Sequence, residues 1–153
     1  MRQYKCLSTP IGELCFIVEG RMVLALHSKK RVKPAGAQRG GAEAEAFEKE
    51  LQEYLHGSRT SFTFKPALSG SSFKRSVLEE VLKVPYGTTT TYKEIARRLS
   101  TTPRSVAAAL SSNSILIVVP CHRVISASGW IGGYALGVDA KLFLLNLEKA
   151  SLL

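Results

Sequence analysis

The chain has 153 residues, 45% of them hydrophobic, enough for one medium domain or two small ones with a packed core. Lys and Arg number 21 against 12 Asp and Glu, a net charge of +9 that is shared by both halves of the chain. No apolar run approaches the roughly 18 residues of a membrane helix, no signal-peptide pattern opens the sequence, and three Cys, at 6, 15 and 121, make no secreted disulfide framework. These features predict a soluble intracellular protein. The basic excess fits a polyanion, whose neutralised phosphates release counterions; a merely soluble basic protein is the alternative.

Residues 2–8 and 13–19 read as strands around Thr9-Pro10-Ile11-Gly12, and residues 22–26 as a third. A four-residue loop pairs Ser8 with Glu13, which sets Cys6 opposite Cys15. Disulfides inside cells are rare, so the two sulfurs are expected reduced and packed together. With His27 they are conceivable zinc ligands, but the spacing is no ligand pattern and no metal is expected. Residues 28–41, with Lys29, Lys30, Arg31, Lys33 and Arg39, form a basic surface loop. Residues 43–56 carry Phe47, Leu51, Tyr54 and Leu55 at helical spacing, with Gly57 past the end. Residues 61–64 read as a short strand.

Ser- and Gly-containing residues 66–70 make a linker between a domain at 1–65 and another at 71–153. A helix is expected over 72–84, stopped by Pro85 and Gly87. Thr91 caps the next, 92–99, with Glu94 completing a capping box. Thr102 and Pro103 open another that runs through Leu110. Two short helices joined by about three residues suggest helix-turn-helix, with an ordinary helical hairpin as the alternative. Ser105, Ala107 and Ala108 give the second helix little side chain to read bases in a wide groove, which suits close, sequence-independent approach to a narrow one. A glycine-containing wing, 126–137, and a last helix, 138–150, complete the chain. The fold class is α+β: a strand-and-helix N-terminal domain and a helical C-terminal domain with a winged helix-turn-helix.

The least ordinary stretch is residues 117–125, where Pro120-Cys121-His122-Arg123 interrupts an apolar run. Pro120 removes a donor and fixes φ, so Cys121 should sit at a turn past a strand-like segment. A thiol beside cationic groups is expected to have a depressed pKa, and Cys with a neighbouring base is a nucleophile pattern. A buried structural Cys is the bland alternative.

Pro120-Cys121-His122-Arg123-Val124 resembles the active-site signature of the O6-alkylguanine-DNA alkyltransferases. Asn113, eight before the Cys, with Tyr92, Arg104, Gly132-Gly133-Tyr134 and Glu148, falls at family positions; the likeness is close over 71–149 and loose before. It implies repair by direct reversal: single-turnover transfer of the alkyl group from O6-alkylguanine, and from O4-alkylthymine, in double-stranded DNA to Cys121, with no cofactor. It also implies minor-groove binding by a monomer, in the cytoplasm with the nucleoid, or in the nucleus of a eukaryote.

The resemblance assigns roles residue by residue. His122, through a water, takes the thiol proton, and Glu148 orients His122; Glu148 alone would read as a surface residue. Tyr92 serves the leaving guanine at N3, and Asn113 pins the turn before the Cys. Arg104 is the finger that fills the space of the flipped nucleotide, a phosphate contact being its alternative. Ser105, Ala107, Ala108 and Arg123 join Tyr92 and Arg104 as DNA contacts. Val124, Gly133, Tyr134 and Ala135 line the base pocket, the carbonyls of Cys121 and Val124 reading the exocyclic amine. Ala135 stands where many relatives have Ser, and Leu136 and Ser114 are further departures. Two rivals remain: a non-catalytic alkyltransferase-like lesion-binding protein, whose members lack the cysteine, and an unrelated Cys-His hydrolase needing an oxyanion hole.

Overall fold

The structure, a computed structural model, describes residues 1–151; Leu152 and Leu153, the end of the expected second domain, lie outside the described residues. The chain divides into two compact units. The first is Met1–Ala67 with Ser114–Val118; the second is Leu68–Asn113 with Val119 onward. Residues 114–118, read from sequence as part of the second domain, count with the first. The reason is a bridge to the sheet: Leu26 N–H donates to Ser114 O (2.9 Å) and Leu116 N–H to Leu26 O (2.8 Å).

In the first unit β1 (Arg2–Thr9), β2 (Gly12–Glu19) and β3 (Met22–Ser28) form an antiparallel meander. Two short strands extend it, β4 (Gln38–Arg39) beside β1 and β5 (Lys65–Pro66) beside β3, giving the order β4-β1-β2-β3-β5. Alternation sends Leu14, Phe16 and Val18 to one face, where α1 (Ala42–Leu55) lays Phe47 and Leu51 and the Phe16 and Phe47 ring centroids lie 4.9 Å apart. On the other face Val32, from the basic loop, packs on Cys15 and Ile17. That loop is therefore anchored, and part of it is β4.

Residues 61–64 form no strand, contrary to expectation; the strand is displaced to Lys65–Pro66. Glu50, buried on α1, accepts from the Thr63 backbone N–H (2.9 Å) and from the Thr63 hydroxyl, so a side chain takes the bonds a neighbouring strand would have made. Phe62 and Phe64 meanwhile pack against Phe47, with centroids 5.8 and 5.2 Å away.

Cys6 does lie opposite Cys15, with Cα atoms 4.0 Å apart. The sulfurs are bonded, which corrects the expectation of a reduced pair. Direct opposition across a tight hairpin leaves nothing to rearrange before they join. In this state neither sulfur is available to a metal.

The second unit contains α2 (Ser72–Leu82), α3 (Tyr92–Arg98), α4 (Pro103–Ser111) and α5 (Val138–Ser151), with β6 (Thr90–Thr91) pairing parallel to β7 (Val124–Ile125). Caps set the helix starts: Thr91 Oγ1 accepts from Glu94 N–H (3.0 Å) and Thr102 Oγ1 from Ser105 N–H (3.1 Å), with Pro103 in the first turn of α4. The Glu94 carboxylate binds Arg97 and Arg98 one turn on. Among the described residues no helix is long and apolar enough to cross a membrane.

Cross-linking residues nine apart removes loop-closure entropy worth about 2–3 kcal/mol from the unfolded chain. Denaturation in urea with and without reductant should show that loss of stability. Methyl acceptance by Cys121 below the transition should be the same in both.

Candidate active site

Everything expected to carry chemistry lies in the second unit. The expected strand before the Cys is replaced by two tight reversals. Val118 N–H donates to Leu116 O (2.7 Å) around Ile117, whose φ is +71°, and Cys121 N–H donates to Val119 O (2.8 Å) around Pro120. Residues 121–123 then make one 3-10 turn, delivering Cys121, His122 and Arg123 in three directions.

Cys121 is 7% exposed, at the wall of a cavity of about 260 Å³ lined also by Tyr92, Ala107, Gly133, Tyr134 and Ala135. Asn113 Nδ2 donates to Cys121 Sγ (3.3 Å) and to Val119 O (3.3 Å), fixing the turn as expected of an Asn there. Behind the thiol, His122 is fully buried and its Nε2–H donates to Glu148 Oε2 (2.7 Å). An ionised carboxylate only accepts, so Nδ1 carries the imidazole lone pair.

Arg123, expected among the DNA contacts, is instead buried. Its Nε donates to Glu148 Oε1 (2.8 Å), its Nη2 to Glu148 Oε2 (2.9 Å) and its Nη1 to Val84 O (2.8 Å). Burial would raise the Glu148 pKa, but bonds from His122 and Arg123 outweigh it and hold the carboxyl at about 2.

Lys141 was missed by sequence reasoning. Fully buried on α5, it donates Nζ to Val124 O (2.6 Å) and Gly133 O (3.1 Å). It thus occupies one lone pair of a carbonyl expected to read the base. Burial lowers its pKa to about 8, with Cys121 pulling the other way. The available signal was position: Lys141, Leu144 and Glu148 share one buried stripe of α5. Gly132, at φ +83°, lets the chain pass; a Cβ there would lie 2.8 Å from Tyr92 Oη and 3.2 Å from Lys141 Nζ.

Burial pushes the Cys121 thiol above its ordinary value, against the hydrogen bond from Asn113 and the charge of Lys141. The expected depressed pKa is thus corrected: His122, itself held low by burial, carries no charge to offer the sulfur. Thiol and imidazole are both neutral at rest, which suits transfer of a proton from one to the other. Tyr92 has its pKa raised by burial and by Cys121, so its hydroxyl keeps a proton to donate.

Arg104, Ala107 and Ala108 are exposed on α4, with Ser105 half-buried. Arg104 lines a second cavity beside Tyr92 and Ala107, whereas Val124 is wholly buried and serves the site only through its backbone.

A buried thiol at a cavity wall, in the same unit as a His–Glu pair and the helices α3 and α4, has the make-up of a nucleophilic cysteine site. The family model described as the DNA-binding domain of 6-O-methylguanine DNA methyltransferase matches residues 72–150. A methylated-DNA–protein-cysteine methyltransferase of Metallosphaera sedula is 38% identical over 97% of this chain and 94% of its own. One of Methanosarcina acetivorans is 37% identical over 95% of this chain and 97% of its own. The crystal structure of Mycobacterium tuberculosis OGT in complex with DNA superimposes with a TM-score of 0.88 at 33% identity, covering 97% of this chain and 94% of that one. The chain belongs to the methylated-DNA–protein-cysteine methyltransferase family.

Glu148→Gln keeps the shape but leaves Arg123 buried without a countercharge, and should cost about 3–5 kcal/mol. Glu148 has its folded pKa depressed from 4.5 to about 2, so its contribution is full above pH 4.5 and lost as pH falls toward 2. Urea denaturation of wild type and variant should therefore show a constant gap near neutrality that closes in acid.

Proposed function

We propose that this protein repairs alkylated double-stranded DNA by moving the alkyl group from guanine O6, or thymine O4, onto Cys121 Sγ, once per molecule. The observation that carries this reading is Cys121 at the wall of a base-sized cavity, backed by the His122–Glu148 pair, in a chain of this family.

A base inside the stack cannot be attacked, so the nucleotide must be extruded, at a few kcal/mol. The small residues of α4 allow close approach in the minor groove, and Arg104 takes the space vacated. With the base seated, the thiol proton passes through a water to His122 Nδ1, and Glu148 offsets the imidazolium. Lys141 and Asn113 stabilise the sulfur anion. Sulfur then attacks the alkyl carbon as the carbon–oxygen bond breaks. The electron pair goes to O6 and spreads to N3, where the Tyr92 hydroxyl donates; the proton on His122 returns to the released guanine through solvent. Sulfur ends as a thioether, a poor leaving group, so no turnover follows. Cys121 itself speaks against a purely lesion-binding role. Every residue assigned a part in the transfer comes from one chain, which fits action as a monomer, and a DNA substrate fits a place with the nucleoid in the cytoplasm, or in the nucleus of a eukaryote.

Incubation with a duplex containing O6-methylguanine, followed by intact mass and peptide mapping, should find one added methylene on the Cys121 peptide and none at Cys6 or Cys15. A Cys121→Ala protein that still gains it would overturn the reading.

Arg104→Ala should slow repair of the duplex by roughly tenfold or more, the equivalent of 1.4 kcal/mol of extrusion energy, and slow reaction with free O6-benzylguanine far less. Equal losses in single-turnover rates would make Arg104 a pocket residue instead.

A further inference from the structure

Trp130 is the only Trp in the chain and is 64% exposed, far more than an indole needs to be in a folded unit. It is not at a loose end. The loop that bears it is closed by Ser126 N–H donating to Trp130 O (2.9 Å) and Gly129 N–H to Ser126 O (3.1 Å), with Ser128 N–H on Ser126 Oγ (3.3 Å). The ring is thus presented by an ordered turn.

Trp130 lines the second cavity, of about 450 Å³, with Pro103, Arg104, Ala107 and Ala127. This cavity shares Tyr92, Ala107 and Gly133 with the one that holds Cys121, so the two are neighbours on one face. Its walls are apolar and its cations sit on α3 and α4. Arg97 and Arg98 are tied to Glu94, but Lys93 and Arg104 have no carboxylate within salt-bridge distance among the described residues. An exposed aromatic plane beside two uncommitted cations is the combination that holds an unpaired base and its phosphates.

We propose that Trp130 is a DNA-contact residue. Its indole stacks on the nucleotide next to the extruded one, while Lys93 holds a flanking phosphate and Arg104 enters the vacated space. The proposal rests on the DNA-repair reading above. Extrusion exposes the faces of the two flanking bases; Arg104 enters between them, and the indole covers the face that the guanidinium leaves open. This cavity therefore takes the strand, while the cavity at Cys121 takes the lesion.

A lone Trp makes the test direct. In a Cys121→Ser protein bound to duplex containing O6-methylguanine, Trp emission should change and acrylamide quenching should fall as the duplex saturates, with binding followed independently by anisotropy of a labelled duplex. Trp130→Ala should weaken duplex binding about 5- to 100-fold, and Trp130→Phe should restore most of it, because stacking needs a ring and not an indole N–H. Saturation with unchanged emission and quenching overturns the proposal, as does a Trp130→Phe loss equal to that of Trp130→Ala. So does a Trp130→Ala protein whose rate with free O6-benzylguanine falls as much as its rate with duplex, since the ring would then wall the lesion pocket. Intact mass of the wild type after the same duplex reports the repair reading separately: methyl transfer to Cys121 with an unmoved indole sinks the Trp130 role alone.

Discussion

A carboxylate cut off from water must be satisfied by the protein around it, and the second unit is built on satisfying one. Glu148 accepts from His122, twice from Arg123, and from the Gly87 backbone N–H (3.2 Å). Those donors come from the 3-10 turn after Cys121 and from the loop after α2, so one anion on α5 fixes both. Geometry this dense is required: an ion removed from water recovers its hydration only when nearly every lone pair finds a donor. Arg123 extends the tie to Val84 O at the end of α2. Arg123, which the family resemblance numbers among the DNA contacts, is consumed in holding the floor of the site still.

The same burial decides how the thiol is kept. A thiolate stabilised at rest would need a permanent cation against the sulfur, and the nearby cationic candidates are spent: Arg123 faces Glu148, and His122 is held neutral by burial. Lys141 contributes charge but is itself pulled to about 8 by desolvation. Burial therefore wins, and the Cys121 sulfur rests as a protonated thiol. An acceptor used once gains from this arrangement. A buried, protonated sulfur stays less exposed to stray electrophiles and oxidants.

Much of this was legible in the sequence where local rules dominate. The helix starts at Thr91 and Thr102 follow from a hydroxyl that accepts an end N–H, and the opposition of Cys6 and Cys15 from counting residues around a hairpin. What was not legible depends on long-range partners. Residues 61–64 have the alternation of a strand, but Glu50, from α1, takes the Thr63 donors. Arg123 sits in a motif that suggests DNA, and only the fold brings Glu148 to it from 25 residues away. Lys141 on a buried stripe is invisible as chemistry until the carbonyls of Val124 and Gly133 are seen to solvate its ammonium.

The remaining feature lies between those cases, in the backbone before the thiol. Ile117 has φ +71°, a region that a β-branched residue enters at a cost on the order of 1–3 kcal/mol. An extended path through residues 117–120 would be longer than the one the chain takes. Two successive three-residue reversals shorten it instead, and Asn113 Nδ2 closes the second by bonding Val119 O. That same amide group reaches Cys121 Sγ, so one Asn side chain both closes the turn around Pro120 and bonds the sulfur. Asn113, just past the end of α4, is thus the residue that fixes the Cys121 sulfur, and it does so within the second unit.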